Sequence, residues 1–223
     1  RHSSEFARYG KKALIVTGAH SAKSNGSLTD LISVLEKNNI RYQIFDQVEE
    51  NPCVETIAKA ASVGKDFNAD FVVGIGGGSP LDAAKAIALL IANPLENEQV
   101  LYQKKDLGHL PVIAIPTTCG TGSEATAVSV LTNHQMGLKK SIPYKIFPEL
   151  ALVDGKYLAR ASKSLIVNTA VDALAHLIES YLNSKANDLN KMFSEYGLKL
   201  WGQNKELLSF EKPLNEDELQ KLM

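Results

Sequence analysis

This sequence has few cysteines, almost no net charge and no long apolar run. Its 223 residues include two cysteines, Cys53 and Cys119, too few for a disulfide framework and consistent with a reducing compartment. The 24 basic side chains balance the 25 acidic ones, so no excess charge favours binding to nucleic acid or to an anionic membrane. The longest apolar run, residues 83–92, contains Lys85 and is too short to span a bilayer. These absences predict a cytoplasmic protein that binds neither nucleic acid nor a membrane.

Short apolar segments alternate with helical patterns over the first 160 residues. Helices are predicted at residues 54–67 and 81–92 and from Ser27 or Thr29 to residue 38, and strands at residues 13–17, 42–45, 71–75, 112–115 and 151–153. Because this alternation is typical of parallel sheets covered on both faces, residues 1–160 are predicted to form a doubly wound, Rossmann-like α/β domain. Such sheets bind ligands beyond the carboxyl ends of their strands.

Helical patterns alone follow residue 164, at residues 165–182, 188–202 and 215–223. We therefore predict a second, all-α domain that begins near residue 161. Since its last helical pattern runs to the end of the sequence, we expect this domain to be truncated.

A glycine-rich turn, Gly76-Gly77-Gly78-Ser79-Pro80, follows the third predicted strand and precedes a helix. Glycines let the backbone approach a ligand closely, and a helix start offers unpaired N–H groups at the positive end of its dipole. The proline suits the first helical turn, where its missing N–H would be unpaired in any case. The turn predicts a pyrophosphate cradle, with tight packing of the strand on the helix as the alternative explanation.

A second loop, residues 116–124 (PTTCGTGSE), follows the fourth predicted strand. Its hydroxyl groups can donate hydrogen bonds to phosphate, ribose or amide groups. A hydroxyl-rich start of a helix over residues 124–128 is the alternative. Two such loops at the ends of neighbouring strands favour a nucleotide site.

Two aspartates lie beside these loops. Asp46 follows the second predicted strand, where a carboxylate can accept hydrogen bonds from ribose hydroxyls and repel a 2′-phosphate, which favours NAD over NADP. A solvated turn carboxylate is the alternative. Asp82 falls in the first turn after the glycines, where it either stabilises the helix start or contacts a cofactor.

Asp172 and His176 lie four residues apart in a predicted helix, so their side chains share one face. A carboxylate and an imidazole at this spacing can share one divalent metal ion. Because Asp172 has apolar neighbours in sequence, we expect it to face the interior. A simple Asp–His ion pair is the alternative.

Three motifs resemble the iron-containing (group III) alcohol dehydrogenase family, and they stand in the family's order. They are GIGGGSPLDAAK at 74–85, IPTTCGTGSE at 115–124 and VDALAHLIESY at 171–181. The resemblance implies a dehydroquinate synthase-like architecture, with an N-terminal α/β dinucleotide-binding domain and a C-terminal all-α metal-binding domain. The family supplies two further histidine ligands downstream, which this sequence lacks.

The resemblance also implies roles for the residues that match the motifs. The cofactor NAD would contact Asp46, Gly77, Gly78, Ser79, Thr117, Thr118, Thr121 and Lys140. Asp82 is a further candidate contact because of its position after the glycine turn. Asp172 and His176 would hold the catalytic metal, which is ferrous iron in the family, although an Asp/His pair also binds zinc.

The resemblance implies a metal-dependent dehydrogenase that interconverts a small alcohol or diol and its aldehyde or ketone with NAD(H). A homo-oligomer is expected. One rival is a nucleotide-dependent kinase, for which Asp82 is the one candidate catalytic carboxylate beside the glycine turn. The other rival is a nucleotide-binding fragment without catalytic activity.

Overall fold

A computed structural model describes residues 3–223, so the first two residues of the predicted α/β domain lie outside the described residues. The chain separates into two compact units. The α/β unit comprises the chain up to Thr117 together with Ser123–Val153, and the helical unit comprises Thr118–Gly122 and Asp154–Met223. The assignment of residues 1–160 to NAD binding and of residues 161–223 to metal binding stays a prediction.

Within residues 3–223 the strands are β1 (Lys12–Thr17), β2 (Arg41–Phe45), β3 (Phe71–Gly76), β4 (Val112–Pro116), β5 (Val130–Asn133), β6 (Leu138–Ser141) and β7 (Leu150–Ala151). Strands β1, β2, β3, β4 and β7 form one sheet in the order β2-β1-β3-β4-β7, in which every pair is parallel. Strands β5 and β6 form a separate antiparallel hairpin. Strands β3 and β4 are buried at every position, as expected for a parallel sheet covered on both faces. The predicted α/β fold is confirmed.

Helices occupy three of the four connections between successive parallel strands and more than half of the helical unit. They are α1 (Ser21–Ser24), α2 (Ser27–Lys37), α3 (Val54–Phe67), α4 (Gly78–Ala92), α5 (Lys163–Leu182), α6 (Asp188–Asn204) and α7 (Glu216–Leu222). None of the helices within residues 3–223 is long and apolar enough to cross a membrane.

Helix α4 lies at the centre of the α/β unit and is buried along most of its length. Its close approach to β3 depends on Gly74, where a Cβ atom would come within 2.9 Å of the Cβ of Ala84. Residues 83, 84 and 86 are alanines with no exposed surface, so small side chains bring the helix against the sheet. The position of α4 therefore fixes the glycine turn at its amino end.

The helical unit is built around the packing of α5 against α6. The indole Nε1 of Trp201 on α6 donates a hydrogen bond of 2.9 Å to the carbonyl of Ala170 on α5. Near the end of the chain, the amide of Gly155 donates to the side chain of Gln220 on α7 at 2.7 Å. The first of these bonds attaches α5, which carries Asp172 and His176, to α6.

Two local predictions differ from the structure. Helix α4 begins at Gly78 and not at residue 81, because Gly78, Ser79 and Pro80 themselves adopt the first helical turn. The helix expected over residues 124–128 is a single 3₁₀ turn, Ser123–Ala125, and the chain then enters the hairpin β5–β6. The alternative explanation of the second loop, as the start of an α-helix, is therefore wrong.

Candidate functional site

The glycine turn lies where β3 ends, beside the point at which the strand order reverses. The sheet extends in opposite directions from β1 and β3, so their carboxyl ends border a crevice of the kind that binds ligands in doubly wound folds. Gly76 has φ of +143°, and a Cβ atom there would lie 2.7 Å from Cγ of Pro80. Glycine is therefore required at this position.

The amino end of α4 lies next to this crevice, and the first amides of a helix have no partner within the helix itself. Gly77 precedes the helix in an extended conformation and offers no side chain to cap the amides of the first turn. Gly78 and Ser79 are the first helical residues, and the Ser79 hydroxyl accepts a hydrogen bond from the amide of Asn51 at 3.2 Å. A cradle without side-chain caps at the positive end of a helix dipole fits a pyrophosphate group.

Asp46 follows β2 directly, at the same edge of the parallel sheet as the glycine turn. The ammonium group of Lys23 donates to Oδ2 of Asp46 at 2.5 Å. This hydrogen bond lowers the pKa of Asp46, so the carboxylate is ionised at neutral pH. The carboxylate is 35% exposed and can accept further hydrogen bonds from a ribose. No pattern in the sequence links residue 23 to residue 46.

Both carboxylate oxygens of Asp82 accept hydrogen bonds, one from the end of the second loop and one from strand β5. The hydroxyl of Ser123 donates to Oδ1 at 2.6 Å, and the amide of Val130 donates to Oδ2 at 2.8 Å. Burial raises the pKa of Asp82, and these hydrogen bonds oppose that shift. These contacts favour a structural role for Asp82 over a contact with the cofactor. The carboxylate connects α4 to β5, and it does not cap the start of the helix.

Lys85 is a buried cation that sequence reasoning did not include in the site. Its ammonium group has no exposed surface and donates to the hydroxyl of Ser123 at 2.9 Å and to the carbonyl of Val128 at 2.7 Å. Burial lowers the pKa of Lys85, whereas Asp82, at 3.8 Å, raises it. The sequence does contain one signal for this pair. Lys85 stands three residues after Asp82 in an otherwise apolar helical segment, and this spacing brings two side chains together.

Thr117 lies beside the glycine turn. Its amide donates to the carbonyl of Gly76 at 2.9 Å, which continues the pairing of β3 with β4 beyond the strand ends. The residue is 5% exposed. The structure therefore brings Thr117 together with the glycine turn in the α/β unit.

Thr118 and Thr121 belong to the helical unit. Between them, the thiol of Cys119 lies 3.3 Å from the hydroxyl of Thr169 on α5. At Gly120 a Cβ atom would come within 2.5 Å of the Thr169 carbonyl oxygen, so the loop lies directly against α5. Burial raises the pKa of Cys119, which leaves its thiol protonated at neutral pH.

The two lysines of strand β6 point in opposite directions, because side chains alternate along a strand. Lys139 donates to the side chain of Asn51 at 2.6 Å. Asn51 in turn contacts Ser79 of the glycine turn through its amide. Lys140, the predicted cofactor contact, is exposed on the other face of the hairpin. The structure thus connects Lys139, which the sequence analysis passed over, to the glycine turn.

Asp172 and His176 share one face of α5, with 3.8 Å between Oδ1 of Asp172 and Nε2 of His176. Their side chains are 49% and 52% exposed, so the expectation that Asp172 faces the interior is wrong. The buried residues of α5 are Ile166 and Ala170, which lie on a different part of the helix surface. One oxygen and one nitrogen donor at this separation fit a shared divalent metal ion.

In sequence, this chain is similar to known alcohol dehydrogenases. The sequence profile of the iron-containing alcohol dehydrogenases matches residues 1–155. An NADPH-dependent butanol dehydrogenase of Clostridium saccharobutylicum is 35% identical over 181 residues, which are 78% of this chain and 46% of that protein. An NAD-dependent methanol dehydrogenase of Bacillus methanolicus is 35% identical over 192 residues, which are 85% of this chain and 50% of that protein.

Solved structures agree with these sequence matches. The crystal structure of an iron-containing alcohol dehydrogenase from Thermotoga maritima is similar with a TM-score of 0.90 and 39% identity, and the match covers 98% of this chain and 60% of that one. The architecture is that of a Rossmann-like α/β domain followed by a helical part. The chain belongs to the iron-containing alcohol dehydrogenase family. It spans about half the length of the curated relatives cited here.

Proposed function

We propose that this chain forms the NAD(H)-binding part, and half of the metal site, of a metal-dependent dehydrogenase acting on a small alcohol or diol. The observation that carries the proposal is the uncapped glycine turn at the start of α4, beside the reversal of strand order. Membership of the iron-containing alcohol dehydrogenase family supports this reaction class.

In this proposal the α/β unit holds the cofactor. The amides of Gly77, Gly78 and Ser79 bind the pyrophosphate, while Asp46 accepts hydrogen bonds from the adenosine ribose. Because Asp46 is ionised, it repels a 2′-phosphate, and this favours NAD over NADP. The relatives themselves include an NADPH-dependent and an NAD-dependent enzyme, so the choice of cofactor depends on such local contacts.

Hydroxyl groups of the second loop complete the cofactor contacts. Thr117 is proposed to contact the cofactor from the end of β4, next to Gly76. Thr118 and Thr121 are also proposed to contact it, as the resemblance of the second loop to the family's motif implies. Lys139 is our preferred cofactor-contacting lysine, because Asn51 links it to the glycine turn. The contact of Lys140 remains a weaker prediction.

Asp172 and His176 are proposed to hold the metal from one face of α5. A bound divalent ion, iron or zinc, supplies Lewis-acid stabilisation of negative charge on the substrate oxygen. The role of the protein is to orient these two donors through the helix, since side chains four residues apart lie one turn above each other. The exposure of both donors leaves room for further ligands and for the substrate.

The activity is tested on the whole protein that carries this sequence. After reconstitution with ferrous ion under anaerobic conditions, it should reduce NAD⁺ in the presence of small primary alcohols or diols. We expect turnover to require the metal and to fall to background in the Asp172→Asn variant. Absence of turnover across a panel of such alcohols, with metal content verified, would contradict the proposed reaction.

The kinase alternative has less support. It needs a catalytic carboxylate beside the glycine turn, and both oxygens of Asp82 already accept hydrogen bonds from Ser123 and Val130. The binding-fragment alternative predicts NADH binding without a metal requirement in the whole protein. Comparison of NADH with ATP binding, together with elemental analysis of metal content, separates the three functions.

A further inference from the structure

A second group of potential metal ligands lies in the α/β unit, separate from Asp172 and His176. It comprises the thiol of Cys53, the carboxylate of Glu55 and the imidazole of His134, and one donor atom from each lies within 4.8 Å of the other two. Cys53 precedes α3, Glu55 is in its first turn, and His134 follows β5. Three donors from two distant parts of the sequence therefore converge on one point.

Backbone hydrogen bonds connect the two segments that supply these donors. The amide of Thr132 donates to the carbonyl of Pro52 at 2.9 Å, and the Thr132 hydroxyl donates to the carbonyl of Asn51 at 3.1 Å. Cys53 and Thr132 also form a parallel β-bridge. The hairpin that carries His134 is thus attached to the residues directly before α3.

The start of α3 is also fixed. The carboxylate of Glu49 accepts a hydrogen bond from the amide of Cys53 at 2.8 Å and another from the hydroxyl of Thr56 at 2.9 Å. Glu49 therefore holds the amide of Cys53 and the side chain of Thr56, three residues further along. A site whose ligands are already positioned loses less conformational entropy when it binds an ion.

The donor set selects the kind of ion. Zinc binds thiolate, imidazole and carboxylate ligands with tetrahedral geometry, whereas calcium and magnesium prefer oxygen ligands alone. A thiolate and a carboxylate together neutralise the two positive charges of the ion. Cys53 is half-buried, and Glu55 and His134 are exposed, so an ion can enter from solvent.

We propose that Cys53, Glu55 and His134 form a zinc-type metal site that clamps the hairpin β5–β6 to the start of α3. Three protein ligands would leave a fourth coordination position open to water. The ion would join the two segments because its ligands come from both of them. This site is independent of the proposed dehydrogenase activity, since its ligands include none of the residues proposed to bind NAD(H) or the catalytic metal.

Cobalt(II) is the direct probe, because it substitutes for zinc and a cobalt–thiolate bond gives a charge-transfer absorption band. The metal-free chain is titrated with cobalt(II), in the wild-type sequence and in an Asp172→Asn/His176→Gln double variant. We expect a thiolate band in both proteins, with the same affinity. Cys53→Ser should abolish the band, and His134→Gln, in an exposed turn, should weaken cobalt binding by about tenfold or more.

Two matched controls define the outcome. Cys119→Ser removes the other cysteine and should leave the band unchanged, and His109→Gln replaces a histidine outside the cluster and should leave the affinity unchanged. In the Asp172→Asn/His176→Gln background zinc should also raise the melting temperature, and the addition of His134→Gln should remove this shift. A missing thiolate band in the folded wild-type chain, or a band that survives Cys53→Ser, would overturn the proposal.

Discussion

The hydroxyl of Ser123 donates a hydrogen bond of 2.6 Å to Oδ1 of Asp82, across 41 residues of sequence. Asp82 lies in the first turns of α4, directly after the glycine turn, and Ser123 closes the second loop. Lys85 donates to the same hydroxyl from the buried side of α4. One polar cluster therefore connects the helix behind the glycine turn to the chain that leaves the second loop.

Replacement of Asp82 should destabilise the α/β unit. In Asp82→Ala, the buried ammonium group of Lys85 loses its nearby carboxylate, and the amide of Val130 loses its acceptor. We expect the free energy of unfolding to fall by about 3 kcal/mol, as for other broken buried ion pairs. Urea denaturation measures this change. The matched control, Asp66→Ala in the exposed part of α3, should change stability by less than about 0.5 kcal/mol. Equal effects of the two variants would contradict a structural role for Asp82.

Asp46 should determine the choice between NADH and NADPH. In Asp46→Gly the negative charge that opposes a 2′-phosphate is lost, and Lys23, its present partner, becomes available to that phosphate. We expect the ratio of dissociation constants to shift towards NADPH by about tenfold, which corresponds to about 1.4 kcal/mol. In the double variant Lys23→Ala/Asp46→Gly, part of this shift should disappear. An unchanged ratio in Asp46→Gly would refute the ribose role.

The two lysines of β6 provide a matched pair. Because Lys139 reaches Asn51 and Lys140 lies on the opposite face, Lys139→Ala should weaken NADH binding several-fold more than Lys140→Ala. Fluorescence titration with NADH measures both affinities under identical salt conditions. The reverse order would support the assignment of the cofactor contact to Lys140.

Metal retention should depend on α5. In the whole protein, Asp172→Asn and His176→Gln should each lower iron content after desalting, because each removes one donor of the shared site. Elemental analysis measures the bound metal, and circular dichroism verifies that the variants fold. Glu195→Gln, an exposed carboxylate variant on α6, serves as the control and should retain the metal. Unchanged iron content in both α5 variants would exclude the pair as ligands.

Much of the α/β architecture follows from the sequence, because its helices and strands have strong periodic patterns. The predicted helix over residues 54–67 matches α3, Val54–Phe67, at both ends. The predicted strands of the parallel sheet are all present, with ends displaced by up to two residues. Long amphipathic or fully apolar segments indicate their own secondary structure, because the hydrophobic pattern is read from residues that are neighbours in sequence.

The hairpin β5–β6 was not predicted, for a physical reason. Its second strand, Leu138–Ser141, contains two exposed lysines and lacks an apolar alternation. Its position depends on Asp82, which accepts from Val130 and is 48 residues away in sequence. Nor does the sequence show that Lys139, and not its neighbour, reaches Asn51, because that orientation follows from the strand register.

The exposure of Asp172 was also mispredicted. Apolar neighbours in sequence suggested burial, but the buried residues of α5, Ile166 and Ala170, lie elsewhere on its surface. Spacing alone correctly placed Asp172 and His176 on one face, because helical geometry fixes the relation of residues four apart.

The most direct test of the central claim is calorimetric titration of the chain with NADH and with ATP, in the wild type and in Gly78→Val. We expect NADH to bind more tightly than ATP and Gly78→Val to abolish NADH binding, because a branched side chain would occupy the pyrophosphate cradle. Gly108→Val, at a position where a Cβ atom meets no neighbour within 4 Å, should bind NADH like the wild type. Tighter binding of ATP than of NADH, or undiminished NADH binding by Gly78→Val, would contradict the account.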